Sequence, residues 1–214
     1  MKKLFLGLFI SCLLGQANAA SFSEVGDAGE LINTAQVTTG SGPLTSITGS
    51  LIDLGQGVDD IDLFEIFISD TSVFSVTVTS NFFKDDGLAG DNDSTLFLFD
   101  YSGVLAAFAE DIDNANGNYL PQFNTGDVDF LSNGTYFLGF ALYDTYPTFP
   151  VTDPLSGWDR DPWEFQTGAY TLTLTGTQFS VPAQTSSVPE PTSIALLGVG
   201  LAGMGFSRKR KSPN

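Results

Sequence analysis

From residue 30 to residue 179 the apolar side chains return at every second position rather than every third or fourth. A period of two places successive side chains on opposite faces of an extended chain, whereas a helix needs 3.6. "IDLFEIFIS" (61–69) sets Asp62, Phe64, Ile66 and Ile68 on one face and Ile61, Leu63, Glu65, Phe67 and Ser69 on the other. "VFSVTVT" (73–79), "TLFLFD" (95–100), "VLAAFAE" (104–110), "TYFLGFALY" (135–143) and "AYTLTLTG" (169–176) have the same texture, and 31–37 and 47–52 carry it more weakly. β-Branched and aromatic residues fill these runs. Turn residues separate them at 55–60, 100–103 and 131–134. The pattern predicts an all-β chain, a β-sandwich of about eight strands, with a small barrel as the alternative. The 19 phenylalanines supply much of its core.

The two ends do not share this pattern. "MKKLFLGLFISCLLGQANAAS" has a basic start, an apolar stretch too short to span a bilayer, and the small residues Ala17 and Ala19 before Ala20. It reads as a secretory signal over 1–19, cleaved at Ala19/Ala20. A lipoprotein signal using Cys12 is the competing reading. The sandwich domain is expected over 20–178 and a Ser/Pro linker over 179–188. Residues 189–211 then hold Pro189, Glu190, Pro191, an uncharged run over 192–206, and Arg208, Lys209, Arg210 and Lys211. As a helix the run reaches roughly 22 Å, against a hydrocarbon core of about 30 Å. The expectation is a short C-terminal apolar helix that holds the inner membrane transiently, its basic cluster staying inside.

"VPEP", a short Gly/Ala/Leu run and "RKRK" in that order resemble the PEP-CTERM sorting signal. The resemblance implies export by a Gram-negative bacterium and processing by a membrane peptidase, exosortase. It also implies an association with exopolysaccharide and biofilm at the cell surface or in the extracellular matrix. An ordinary single-pass tail anchor is the alternative.

Charge narrows the partners. Between residues 20 and 188 only Lys84 and Arg160 oppose 24 acids. Such a surface repels phosphate backbones, so nucleic acid is excluded as a partner. The chain has no histidine, and its single cysteine lies in the signal. Thiol nucleophiles, His-based triads and His/Cys zinc sites are excluded together for the mature chain.

The middle of the chain carries a second resemblance. "GELINTAQVT", "ITGSL", "DDIDLFEIFI", "DSTLFLFDYSGVLAAFAEDID", "LSNGTYFLGFAL" and "GAYTLTL" follow the order of the bacterial pre-peptidase C-terminal domain. That family implies a jelly-roll-like β-sandwich attached to secreted enzymes and surface proteins. The sequence departs from it at 143–168, which is longer than the usual connection.

Three site readings follow. Acids and amides gather in loops around 85–93, 100 and 111–116, and a hard cation such as calcium takes 6–8 oxygens from such loops. Asp91, Asp93, Asp111 and Asp113 are the candidate calcium ligands, with solvated acidic loops as the other reading. Tyr146, Trp158 and Trp163 stand among carboxylates in the 143–168 segment and suit stacking on sugar rings. Capping an open end of the sandwich is their other reading. Paired carboxylates, with Glu110 or Glu164 as acid, could in principle hydrolyse glycosides, but no spacing singles out a pair. The expectation is an exported, non-enzymatic envelope or matrix component. A calcium-dependent carbohydrate-binding module is the alternative, and a glycoside hydrolase the third class.

Overall fold

The computed structural model describes residues 20–52, 60–84, 92–113, 118–128, 132–148, 153–160 and 166–182. The expected signal peptide, Asp91, Trp163 and the whole sorting tail with its apolar segment lie outside the described residues. The described residues all belong to one compact unit, which ends at Pro182.

The strands in chain order are β1 (Ala20–Ser23), β2 (Gln36–Val37), β3 (Thr39–Gly40), β4 (Leu44–Leu51), β5 (Ile61–Ile68), β6 (Ser75–Lys84), β7 (Ser94–Asp100) and β8 (Leu105–Ala109). They continue as β9 (Asp111–Asp113), β10 (Asn118–Phe123), β11 (Gly134–Leu142), β12 (Tyr146–Pro147), β13 (Trp158–Asp159), β14 (Gln166–Thr175), β15 (Thr177–Phe179) and β16 (Val181–Pro182). One sheet runs β1-β4-β14-β6-β10-β9 and the other β15-β5-β11-β7-β8. Eight principal strands (β4, β5, β6, β7, β8, β10, β11 and β14) therefore form two four-stranded layers. Taken in chain order as first to eighth, they stack 1-8-3-6 over 2-7-4-5. That is the jelly roll, two interlocked Greek keys. No helix occurs among the described residues.

The alternation read from the sequence becomes the interlayer core. Phe64, Ile66 and Ile68 of β5 meet Val76, Val78 and Phe82 of β6, and Tyr170, Leu172 and Leu174 of β14, all buried. Full burial of each such side chain is worth about 1.5–3 kcal/mol. The second sheet buries its other face too. Ile61, Leu63, Phe97, Phe99 and Phe137 form an outer cluster covered by Leu31, Ile32, Ala35, Leu155 and Trp158. This is why β7 is buried at six consecutive positions, Ser94–Phe99.

Two elements differ from expectation. The strand candidate over 31–37 contracts to β2, because Thr34 and Ala35 both donate their backbone N–H to Leu31 O and close a turn. Its place among the eight is taken by β10. Pro121 had masked that strand, and the register shifts around it. At the C-terminal side the sheet continues past 178. Phe179 is buried in the core, and β16 pairs in parallel with β3.

Candidate metal centre

Asp62 occupies an inward position of β5, where the alternation calls for an apolar residue, and it is fully buried. Burying a carboxylate is costly unless its oxygens are satisfied. One is: Tyr170, from the opposite sheet, donates its hydroxyl to Asp62 Oδ2 at 2.5 Å. Tyr170 itself is fixed against Phe140, with ring centroids 4.4 Å apart. Asp60, just before β5, is 1 % exposed and accepts the Ile52 N–H on Oδ2 at 3.0 Å. The remaining oxygens, Asp60 Oδ1 and Asp62 Oδ1, are buried and accept no hydrogen bond, while the Asp62 carboxyl, when protonated, lies within reach to donate to Glu24.

The segment following β1 closes over this pair. Glu24 accepts the Ser50 N–H on Oε2 at 2.9 Å and the Ala28 N–H on Oε1 at 3.1 Å. Asp27 Oδ1 accepts the Gly29 N–H at 2.7 Å, and Gly29 O in turn accepts the Leu63 N–H at 3.0 Å. Gly29 has φ near +73°, a conformation that favours glycine. The result is that Asp27, Asp60 and Asp62 each present an oxygen within 4.8 Å of the others. Gly49 makes room for the arrangement, since a Cβ there would strike the Tyr170 hydroxyl and the Glu24 carboxylate.

The electrostatics are those of crowded anions with no base among them. Burial pushes the Asp62 carboxyl up to about 9, and neighbouring Asp60 and Glu24 push it the same way. Burial likewise lifts Asp60 to about 6 and raises Glu24. Tyr170 is raised by burial and by the Asp62 charge it faces, so it remains a donor. Two oxygens bound to one calcium at about 2.4 Å can be at most about 4.8 Å apart, and the three oxygens here lie within that limit. An all-oxygen set suits a hard cation rather than zinc or copper.

The candidate ligands read from the sequence fall elsewhere. Asp93 precedes β7, and its backbone oxygen accepts the Tyr143 N–H. Asp111 and Asp113 are positions of β9, at the edge of the six-stranded sheet. Trp158 is half-buried. Its ring lies 5.2 Å from Phe97 and 6.1 Å from Phe99, and its Nε1 donates to Glu30 O at 2.7 Å. It thus roofs the outer cluster. Tyr146 is exposed and donates its hydroxyl to Glu110 Oε1 at 2.8 Å. Sequence reasoning missed Glu24, Asp27, Asp60, Asp62 and Tyr170. The available signal was Asp62 itself, an acid on the apolar face of the clearest strand.

A sequence model of the PEP-CTERM protein-sorting motif matches residues 187–211, which include Pro189, Glu190 and Pro191 and the basic cluster Arg208–Lys211. No curated protein and no solved structure matches the chain. The motif marks an exported protein with a C-terminal sorting signal, and implies exosortase-type processing during passage through the envelope.

Proposed function

We propose that this is a non-enzymatic component of the cell envelope or extracellular matrix, delivered by its sorting tail and stabilised by calcium bound at Asp27, Asp60 and Asp62. The observation that carries the calcium reading is the pair of buried oxygens that accept no hydrogen bond, Asp60 Oδ1 and Asp62 Oδ1, facing a third carboxylate. Without a cation, folding must bury these acids protonated or repelling one another. With one, most of their charge is offset and the orphaned oxygens can become ligands of the cation. The sorting motif supports the envelope location, and exopolysaccharide is the matrix partner this reading favours.

The test is thermal unfolding of the full chain in detergent, in EDTA and in millimolar calcium, from pH 5 to pH 9. The sign follows from the raised carboxyls. A folded-state pKa above the unfolded value contributes stability at low pH that is lost as pH rises through the folded value. Asp60 and Asp62 therefore make the EDTA form lose stability from about pH 4 through 6 and on towards 9. The slope is about 1.4 kcal/mol per pH unit for each proton retained. Calcium, which needs the ionised acids, should abolish this decline and raise Tm most at pH 8–9. Asp62→Asn should remove most of the calcium response. A Tm insensitive to calcium at every pH sinks the site.

A further inference from the structure

The outward face of the sheet that holds β1, β4, β14 and β6 is built of hydroxyls in register. Antiparallel pairing sets Thr171 of β14 opposite Thr79 of β6 on one side and Thr48 of β4 on the other. It likewise sets Thr173 opposite Thr77 and Ser46. The parallel pairing of β1 adds Ser23 beside Thr48 and Ser21 beside Ser46. Two complete rows result, each four strands wide: Ser23-Thr48-Thr171-Thr79 and Ser21-Ser46-Thr173-Thr77. Neighbours within a row are about 4.8 Å apart and the rows about 6.7 Å apart. Thr77, Thr79 and Thr173 are exposed, and Thr48 Oγ1 donates to Ser23 Oγ at 3.1 Å along its row. The adjoining outward positions are Ser50, Ala169, Ser75, Thr175 and Gln122. None of these is charged, in a chain with 25 acids.

β-Propensity accounts for threonine in a strand, but it does not account for the missing charge. Solvated sheet faces and edges ordinarily use charged side chains against self-association. A docking face for another protein would be enriched in aromatics and arginine, and a membrane or nucleic-acid face in bases. These rows hold none of them. What they offer is a bed of hydroxyls, each both donor and acceptor, with methyl groups between. Its complement is an uncharged chain equally rich in hydroxyls. Sheet twist, about 20–25° per strand, bends the rows away from any flat crystal plane such as ice, but a flexible chain can follow them.

We propose that this face binds a neutral polysaccharide. The proposal extends the matrix reading above by assigning the surface that would meet the polymer. It does not use the carboxylate pocket.

The experiment is retention of the full chain in detergent on swollen cellulose, β-1,3-glucan and cross-linked dextran, and on the neutral polymer fraction of the producing culture. Retention is measured in calcium and in EDTA. A Thr77→Val/Thr79→Val/Thr171→Val/Thr173→Val variant keeps the shape and removes four hydroxyls. It should lose at least tenfold in retention with its thermal midpoint little changed, while the matching four-serine variant retains binding. Should the valine variant not fold, the single Thr173→Glu variant puts a charge in one row and should lose retention as well. Undiminished retention of the valine or Thr173→Glu variant overturns the proposal. So does the absence of retention on every neutral polymer, and so does binding only to ice, charged polymer or lipid vesicles. A chain that binds polymer but ignores calcium sinks the metal pocket alone. A chain stabilised by calcium that binds no neutral polymer sinks this face alone.

Discussion

The two sheets have opposite outer faces. On the sheet that holds β5, β11 and β7 the outward positions are Ile61, Leu63, Phe97, Phe99 and Phe137, roofed by Leu31, Ile32, Ala35, Leu155 and Trp158. On the sheet that holds β4, β14 and β6 they are serine and threonine, and the described chain leaves them exposed or half-exposed. Both faces come from the same period of two. The difference lies in the outward residue, apolar in β5, β7 and β11 and hydroxylated in β4, β6 and β14. An apolar outer face must recruit cover, and the segments that supply it, 30–35 and 153–158, are held in place to do so. Glu30 ties them together: its backbone oxygen accepts the Trp158 indole N–H, and its carboxylate pairs with Arg160 at 2.5 Å. A hydroxylated outer face needs no cover, so the opposite side of the molecule stays open.

The contrast breaks first at Trp158. Trp158→Ala should strip the roof from Phe97 and Phe99 and cost about 3 kcal/mol in urea unfolding, near the low end for a buried aromatic because this one is only half-buried. A loss below about 1 kcal/mol would mean the roof is ornamental and the two faces are energetically alike. Arg160→Ala tests the tie rather than the roof. It should cost at most about 1 kcal/mol, as a partly exposed ion pair does, and the loss should shrink in high salt. At the other extreme, Thr173→Ala on the open face should change stability by less than about 0.5 kcal/mol. If that substitution cost as much as Trp158→Ala, something in the folded protein would be covering the hydroxyl rows.

Seven of the eight principal strands were legible as alternating runs, and so was the sandwich; the jelly-roll order of the strands was not. β10 was not, because Pro121 interrupts its ladder and only Gln122 and Phe123 pair with β6. The run over 31–37 alternates like a strand but spends its apolar residues as cover for the outer cluster. Alternation shows that a residue faces inward or outward, and cannot show what lies above it. The carboxylate pocket was hidden for a related reason. Its members come from the segment after β1, the approach to and start of β5, and the middle of β14, and no local spacing joins Glu24 and Asp27 to Asp60, Asp62 and Tyr170. Aromatics near acids suggested a sugar platform at Trp158, yet its ring is spent on Phe97 and Phe99.

The way the sandwich closes has a mechanical consequence. The chain leaves the folded unit through β15 and β16, short strands attached by three residue pairs to β5 and two to β3. They are reinforced by the Thr177 hydroxyl on Leu44 O at 2.6 Å and by the Ser180 hydroxyl on the Glu65 carboxylate. A tether at the C-terminus would deliver its load to these strands before any other. β15 runs antiparallel at a sheet edge, so tension would unzip it a pair at a time rather than shear the whole ladder at once. The central strand β14 follows immediately, locked between β4 and β6. A pull on that end would release a few residues of slack at low force before the load reached β14, so the sandwich would yield at its last strands and then stiffen.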